Sequence, residues 1–343
     1  MKTHDKSFIV MVLSLVILVG IFCAGCTTTP PGNQTTPVVT TPVVTTPAVT
    51  TPVANATPTA NTTAHKPNEL LIATTTSLYD TGLLNDVQDI YENETGIDLK
   101  ITSQGTGIAI QIGQRGDADL LLVHSPSQEK TFIDNGYGIN QRCFAYNYFI
   151  IVGPPNDPAG IANLTPEAAF TKIRSLGING TPNIFFASRG DQSGTHSAEQ
   201  NIWKNAGFNY TNNVSNSGPW YLSVGKGMGE TLTLASQKGA YTLSDEGTFL
   251  AFKSQLNLVP LVSQGGSLLN RYSAIAINPV KNPNVNIVQA DRFINWLISD
   301  EGKQIVGDYG AEKYNKSLFT PLGPGVCNVT PFNCTCTGNV TPV

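Results

Sequence analysis

The chain has 343 residues, 13% of them charged, with 20 Lys and Arg against 24 Asp and Glu and a formal net charge of −4. A binder of nucleic-acid phosphates would carry a basic excess, so this balance argues against nucleic acid as a partner. An acidic chain can still hold an anion, because capture then depends on local donors.

In chain order, residues 1–25 read as an export signal. Lys2 and Lys6 open it, and the apolar run from Phe8 to Phe22 is shorter than the roughly 20 residues of a spanning helix. The run ends in Cys23-Ala24-Gly25-Cys26, which resembles a lipobox, although Cys23 stands where such motifs usually carry Leu. Cys26 is the expected lipid attachment site, which places the protein on the outer face of the cell membrane. Residues 26–67 repeat Thr-Thr-Pro-Val-Val and close variants and contain no Phe, Trp or Tyr. Such a segment cannot bury enough apolar surface to offset its ordering entropy, and its prolines favour an extended tether.

Cys143, Cys327, Cys334 and Cys336 remain after processing. Outside the cell disulfides are the default, and four cysteines leave three pairings open. Cys334 and Cys336 are too close for a comfortable mutual bridge. A zinc site is the rival reading, weakened by the absence of a matching second Cys-x-Cys pair.

The folded part alternates strands and helices. Glu69 to Thr74 reads as a first strand, followed by a helix with Leu83, Leu84, Val87, Ile90 and Tyr91 on one face. Asp98 to Thr102 and Ala118 to Val123 are further strands, with a helix from Ile108 to Gly113 between them. Tyr146 to Val152 is a long apolar strand that leads to a second α/β stretch. Ile184 to Ala187 and Ala240 to Leu243 are strands there. Tyr272 to Pro279 mirrors the earlier crossing strand, and one closing helix is expected from Asp291 to Tyr309. This alternation implies parallel sheets, with ligands at the carboxyl ends of strands. The expected organisation is a lobe of residues 68–149 plus 274–326, a lobe of 150–273, two hinge crossings, and a cysteine-containing tail of 327–343.

Two segments carry the chemistry. Thr74-Thr75-Thr76-Ser77 ends the first strand and opens a helix, where hydroxyls and unpaired first-turn amides favour negative charge. Plain N-capping by Thr76 or Ser77 is the alternative role for these hydroxyls. Ser188-Arg189-Gly190-Asp191-Gln192-Ser193-Gly194-Thr195 follows a strand and precedes a helix, with Ser193 as the expected N-cap. Arg189 can offer a planar fork to an oxyanion, Asp191 can orient that fork, and the glycines permit close backbone approach. An Arg–Asp pair that only braces the turn is the competing role, and Asp191 could equally accept from a protonated ligand, which would favour phosphate. Gly105-Thr106-Gly107 is a third, weaker candidate. His124 and Ser125 end another strand, where a lone histidine is more often a satisfied structural residue.

The pattern Arg-x-Asp-x-Ser-Gly-Thr, filled by Arg189, Asp191, Ser193, Gly194 and Thr195, resembles the oxyanion signature of phosphate-type solute-binding proteins. The segment from Ala73 to Leu84, the run Ser188 to Asp191 and the run Tyr241 to Asp245 are more similar to the tungstate-binding proteins of ABC importers. The resemblance covers about residues 69–325. It implies an α/β periplasmic-binding-protein type II fold, two lobes closing over tungstate or molybdate, with no further cofactor. It also implies ABC permease and ATPase subunits as partners, a monomeric state and no enzymatic activity. By that resemblance Thr76, Ser77, Thr106, Arg189, Ser193, Gly194 and Thr195 hold the ion, and Asp191 orients Arg189. Glu246 departs from the pattern, since a basic residue is expected there. A phosphate carrier is the alternative within the class. A serine hydrolase pairing Ser193 with His124 or His196 is more distant, because the Gly-x-Ser-x-Gly elbow is absent. An adhesive surface protein would need no oxyanion signature.

Overall fold

The computed structural model describes residues 66–324 and 334–341. The expected export signal, Cys26, Cys327 and almost all of the expected tether lie outside them. No described helix is long and apolar enough to cross a membrane.

The first part runs β1 (Glu69–Thr75), α1 (Thr76–Tyr79), α2 (Leu83–Thr95), β2 (Asp98–Gln104), α3 (Thr106–Arg115), β3 (Leu120–Val123), α4 (Pro126–Asp134) and β4 (Gly138–Gly153). The next runs α5 (Pro166–Ile178), β5 (Phe186–Ser188), α6 (Gly194–Asn205), α7 (Tyr210–Asn213), β6 (Tyr221–Ser223), α8 (Met228–Lys238), β7 (Tyr241–Asp245), α9 (Glu246–Phe252) and β8 (Val259–Val262). The chain then returns through β9 (Leu269–Ile277), α10 (Ile287–Leu297), α11 (Asp300–Asp308), α12 (Ala311–Tyr314) and β10 (Thr320–Pro321).

The strand order is β2-β1-β3-β9-β4-β7-β5-β6, with β8 and β10 paired to β4 off this path. β2, β1 and β3 are parallel, as are β7, β5 and β6. Antiparallel β9 and β4 separate the two sets. β4 pairs with β9 through Tyr148 and with β7 from Phe149, so one strand runs through both halves. This α/β arrangement, two mirrored parallel sets tied by long crossing strands, has the parallel sheets that the alternation of elements predicts and the two-part architecture that the resemblance implies.

Buried apolar runs explain why the parallel strands sit inside. β3 reads Leu120-Leu121-Leu122-Val123, all buried. Leu120 and Leu122 pack with Leu70, Ile72 and Phe293 on one face, while Leu121 and Val123 pack with Ala109, Phe132 and Ile275 on the other. A strand covered on both faces needs no polar alternation. In the second half Phe149 and Ile151 join a core with Phe170, Phe186 and Trp203, and Ile150 and Val152 join one with Met228, Leu232 and Phe249.

Two elements differ from the sequence reading. β4 begins at Gly138, eight residues before Tyr146, and its pairing with β9 shifts register between Ile139 and Arg142 and again between Cys143 and Ala145. Those irregularities break the apolar alternation that would have marked the strand. The expected single closing helix is two, because Ser299 caps α11 and accepts from Gly302 N at 3.2 Å. A disulfide joins Cys143 to Cys334, which settles one bridge among the open pairings. Residues 334–341 dock on the first half, where Val340 exchanges hydrogen bonds with the Asn295 amide.

Candidate functional site

In the first half the donors sit at the ends of β1, β2 and β3. Thr75 has extended backbone and its Oγ1 accepts from Leu78 N at 3.3 Å. Thr75 is therefore the cap of α1, which corrects the expectation of Thr76 or Ser77 and leaves both hydroxyls in the first turn. Thr106 opens α3 after Gly105 and is fully buried; its Oγ1 has no hydrogen-bond partner. Ser125 precedes α4 but makes no capping bond, and its Oγ is likewise buried without a partner.

The second half supplies Arg189, 2% exposed, just after β5. Its Nη2 donates to Asp191 Oδ2 at 2.5 Å and its Nε to the same oxygen at 3.1 Å. Nη1 is buried with no partner. Asp191 thus fixes the fork, as the sequence predicts, while one end of the guanidinium stays available. The turn that follows puts Gly190 at φ 63° and Gln192 at φ 59°. A positive φ costs a residue such as Gln192 roughly 1 kcal/mol or more and is found mainly where the surroundings hold it. Here Gln192 N donates to His196 Nδ1 at 3.0 Å and Ser193 N to Asp191 Oδ1 at 3.2 Å. Ser193 caps α6, accepting from His196 N at 3.2 Å. Thr195 Oγ1, in the first turn, is buried and unpartnered.

Contacts between the halves bring these residues together. Arg189 Nη2 donates to Thr76 Oγ1 at 3.0 Å. Gln128 Nε2 reaches Ser197 Oγ at 2.8 Å and Gln192 O at 3.2 Å. A Cβ on Gly105 would lie 3.5 Å from Asp191 Oδ2, and one on Gly194 only 2.7 Å from His124 Cε1. Thr248 Oγ1 lies 3.1 Å from the Ser77 carbonyl and 2.7 Å from Asp245 Oδ2. Contacts thus link Thr76, Ser77, Gly105, His124, Arg189, Asp191 and Gly194, with Thr106 and Thr195 adjoining in sequence. A groove of about 660 Å³, lined by Asp86, Glu301, Asp308 and Tyr314 among others, contains none of them.

His124 has a larger part here than sequence reasoning gave it. Its Nε2 lies 2.8 Å from Ser77 Oγ and its Nδ1 2.8 Å from Asn270 Oδ1. The Ser193–histidine pairing weighed for a hydrolase is replaced by these contacts and by the cap on α6. Burial pushes the His124 imidazole down to about 4; the Asn270 bond opposes this and the Arg189 charge adds to it. Burial also raises Asp245 to about 6, against hydrogen bonds from Thr248. Beneath the Arg189 turn, Glu199 accepts from Ser188 Oγ (2.5 Å), Tyr221 OH (2.6 Å) and Trp203 Nε1 (3.0 Å), and burial lifts it to about 7. Ser125 is the other residue whose role the sequence left open; its place after the buried β3 run was the available signal. Glu246, the departure noted above, pairs with Lys316 at 2.6 Å.

The arrangement gathers a guanidinium end, hydroxyls and helix-opening amides where two halves meet. The family model for the PBP superfamily domain matches residues 45–301. The tungstate-binding protein TupA of Peptoclostridium acidaminophilum is 39% identical over 252 residues, 74% of this chain and 85% of that protein. A crystal structure described as the tungstate ABC transporter from Geobacter sulfurreducens is 39% identical, with a TM-score of 0.63 over 71% of this chain and all of that one. The tungstate-binding protein TupA from Desulfovibrio alaskensis G20 gives 39% identity and a TM-score of 0.61, over 74% of this chain and 99% of that one.

Proposed function

Since this chain belongs to the PBP superfamily, in the group of the tungstate-binding proteins of ABC transporters, we propose that it captures tungstate or molybdate outside the cell and delivers it to an ABC permease. One observation carries this reading. Thr106 Oγ1, Ser125 Oγ, Arg189 Nη1 and Thr195 Oγ1 are buried at strand and helix ends of the two halves without a protein partner. An unpaired buried polar group costs about 1–3 kcal/mol, and four donors at these strand and helix ends are what a ligand with several oxygens would satisfy.

Thr76, Ser77, Thr106, Arg189, Ser193, Gly194 and Thr195 would hold the ion, and Ser125 joins them. Burying a dianion is costly unless its oxygens find donors. Donors drawn from both halves make the ligand favour the closed state, a shift of population that the permease would read. The lipid anchor at Cys26 and the tether of residues 26–67 would keep the binding domain, as a monomer, near that permease at the outer face of the membrane. Residues 68–149 with 274–326 and residues 150–273 would act as the two moving lobes, with 327–343 as an appended tail.

Asp191 bears on selectivity. Its Oδ1 accepts from Ser193 N and its Oδ2 from Arg189. Oδ2 takes both Arg189 bonds, whereas Oδ1 takes one and keeps a second acceptor site, so Asp191 does not by itself exclude an anion that brings its own proton. Selection would then rest on size, since the larger tungstate and molybdate ions would reach donors that a smaller sulfate or phosphate cannot reach together. Competition calorimetry on the purified protein tests the proposal. Tungstate should bind tightly and resist displacement by excess phosphate or sulfate; displacement by phosphate would sink it.

A further inference from the structure

As the Asn147 and Asn270 amides are oriented, the Ser77–His124–Asn270 chain runs one way, with Asn147 Nδ2 left unpartnered. Asn270 Nδ2 donates to Asn147 Oδ1 and to Tyr272 OH, each at 2.8 Å. Those two bonds use both amide protons, so Asn270 Oδ1 is the atom facing His124 Nδ1. Nδ1 then carries the ring proton and Nε2 is left as an acceptor. Ser77 Oγ, 2.8 Å from Nε2, must donate to it. The imidazole is 2% exposed, stacks on Tyr272 at 5.0 Å between centroids, and faces Gly194 of the opposite half.

We propose that His124 is a positioning residue for the bound oxyanion: its Nε2 accepts a hydrogen bond from the Ser77 hydroxyl and so pins the first turn of α1, leaving the Ser77 main-chain N–H to serve the anion. The inference rests on the oxyanion reading of the site and deepens it. Ser77 then contributes its amide, while the unpartnered Thr106, Ser125 and Thr195 contribute hydroxyls. The flat ring also gives Gly194 a surface on which the second half seats.

The test has two arms. NMR of the purified, anion-free protein, with histidine labelled at its ring nitrogens, reads the tautomer directly. His124 should show a protonated Nδ1 and a bare Nε2, and adding tungstate should preserve that pattern. The opposite polarity, with both asparagine amides turned over and the proton on Nε2, overturns the proposal. The second arm compares His124→Gln with His124→Asn by tungstate calorimetry. Gln can place an acceptor where Nε2 stood, whereas Asn reaches only the Nδ1 position. Losing one hydrogen bond of this kind weakens affinity on the order of 10-fold, so the Asn variant should fall by about that much while the Gln variant stays within about 3-fold. Equal losses in both variants would reduce His124 to a packing residue and overturn the proposal. A wild-type protein that ignored tungstate would instead remove the oxyanion reading, and the anion-free tautomer would still decide the polarity of the Ser77 bond.

Discussion

Arg189 Nη2 donates to Thr76 Oγ1 at 3.0 Å, a bond that joins residues 113 positions apart and ties the second half of the molecule to the first. The same nitrogen is held by Asp191, while Nη1 is left without a protein partner. One side chain therefore braces the halves and keeps a charged donor in reserve.

Arg189→Gln should remove both functions. Truncating one member of a buried, hydrogen-bonded charge pair costs about 2–5 kcal/mol, so tungstate affinity should fall by roughly two orders of magnitude. The fold should survive, since Arg189 lies in a turn outside the apolar cores. Calorimetry with tungstate and a circular dichroism spectrum check both halves of the expectation; an unchanged Kd would remove Arg189 from the site.

Thr195→Val keeps the shape of the side chain and deletes its unpartnered hydroxyl. Without anion the variant should be as stable as the wild type or slightly more so, because an unsatisfied buried group has gone. With tungstate its affinity should drop about 10-fold. Thermal melts run with and without tungstate separate the two effects, and a variant that gains as much from tungstate as the wild type would exclude the hydroxyl.

Gly194→Ala tests closure. The added Cβ would meet His124 Cε1 at 2.7 Å, across the seam between the halves. Overpacking of this kind costs about 1–3 kcal/mol, whereas Ala in a helix is intrinsically better than Gly. Affinity should therefore fall about 10-fold through a less favourable closed state. Small-angle scattering should show less compaction on adding tungstate, and an undiminished change would mean the seam tolerates the methyl group.

Glu199 should make stability fall as the solution turns basic. Burial raises its carboxyl to about 7 from an ordinary value of 4.5, so the folded state holds its proton more tightly than the unfolded chain. That contribution is complete below the unfolded value and is lost as pH rises through about 7. Its full extent is on the order of 3 kcal/mol. His124, lowered to about 4 from 6.5, acts in the opposite sense and withdraws stability as pH falls below 6.5. Glu199→Gln should abolish its decline between about pH 4.5 and 7, so that the loss caused by His124 as pH falls below 6.5 stands out more steeply. Melting curves across that range decide it; a variant with the wild-type decline would acquit Glu199.

The sequence made the strand-to-helix turns legible because their chemistry is local. Ser193 caps α6 through a bond to a residue three positions away, and Asp191 grips Arg189 two positions away. Such pairings depend on backbone geometry that a few neighbouring residues set by themselves. The buried β3 run likewise announced a parallel strand by composition alone.

The remainder depended on sheet register and on how the two halves meet. His124 and Asn270 stand 146 positions apart, and only the antiparallel pairing of β9 with β3 and β4 brings them within 2.8 Å. Cys143 N likewise donates to Thr335 O of the returning tail at 2.8 Å, which sets Cys143 beside Cys334, 191 positions away. The unpaired state of Thr106, Ser125 and Thr195 is not a property of residue type, since the same hydroxyls bond readily wherever a neighbour reaches them. It follows from the closed approach of two surfaces that bury these groups yet bring them no partner. Which residues carry donors and where the turns fall are short-range properties, set by residue type and by neighbours a few positions away. Which donors stay free depends on every distant atom that could have satisfied them, and so emerges only when the two halves are packed together.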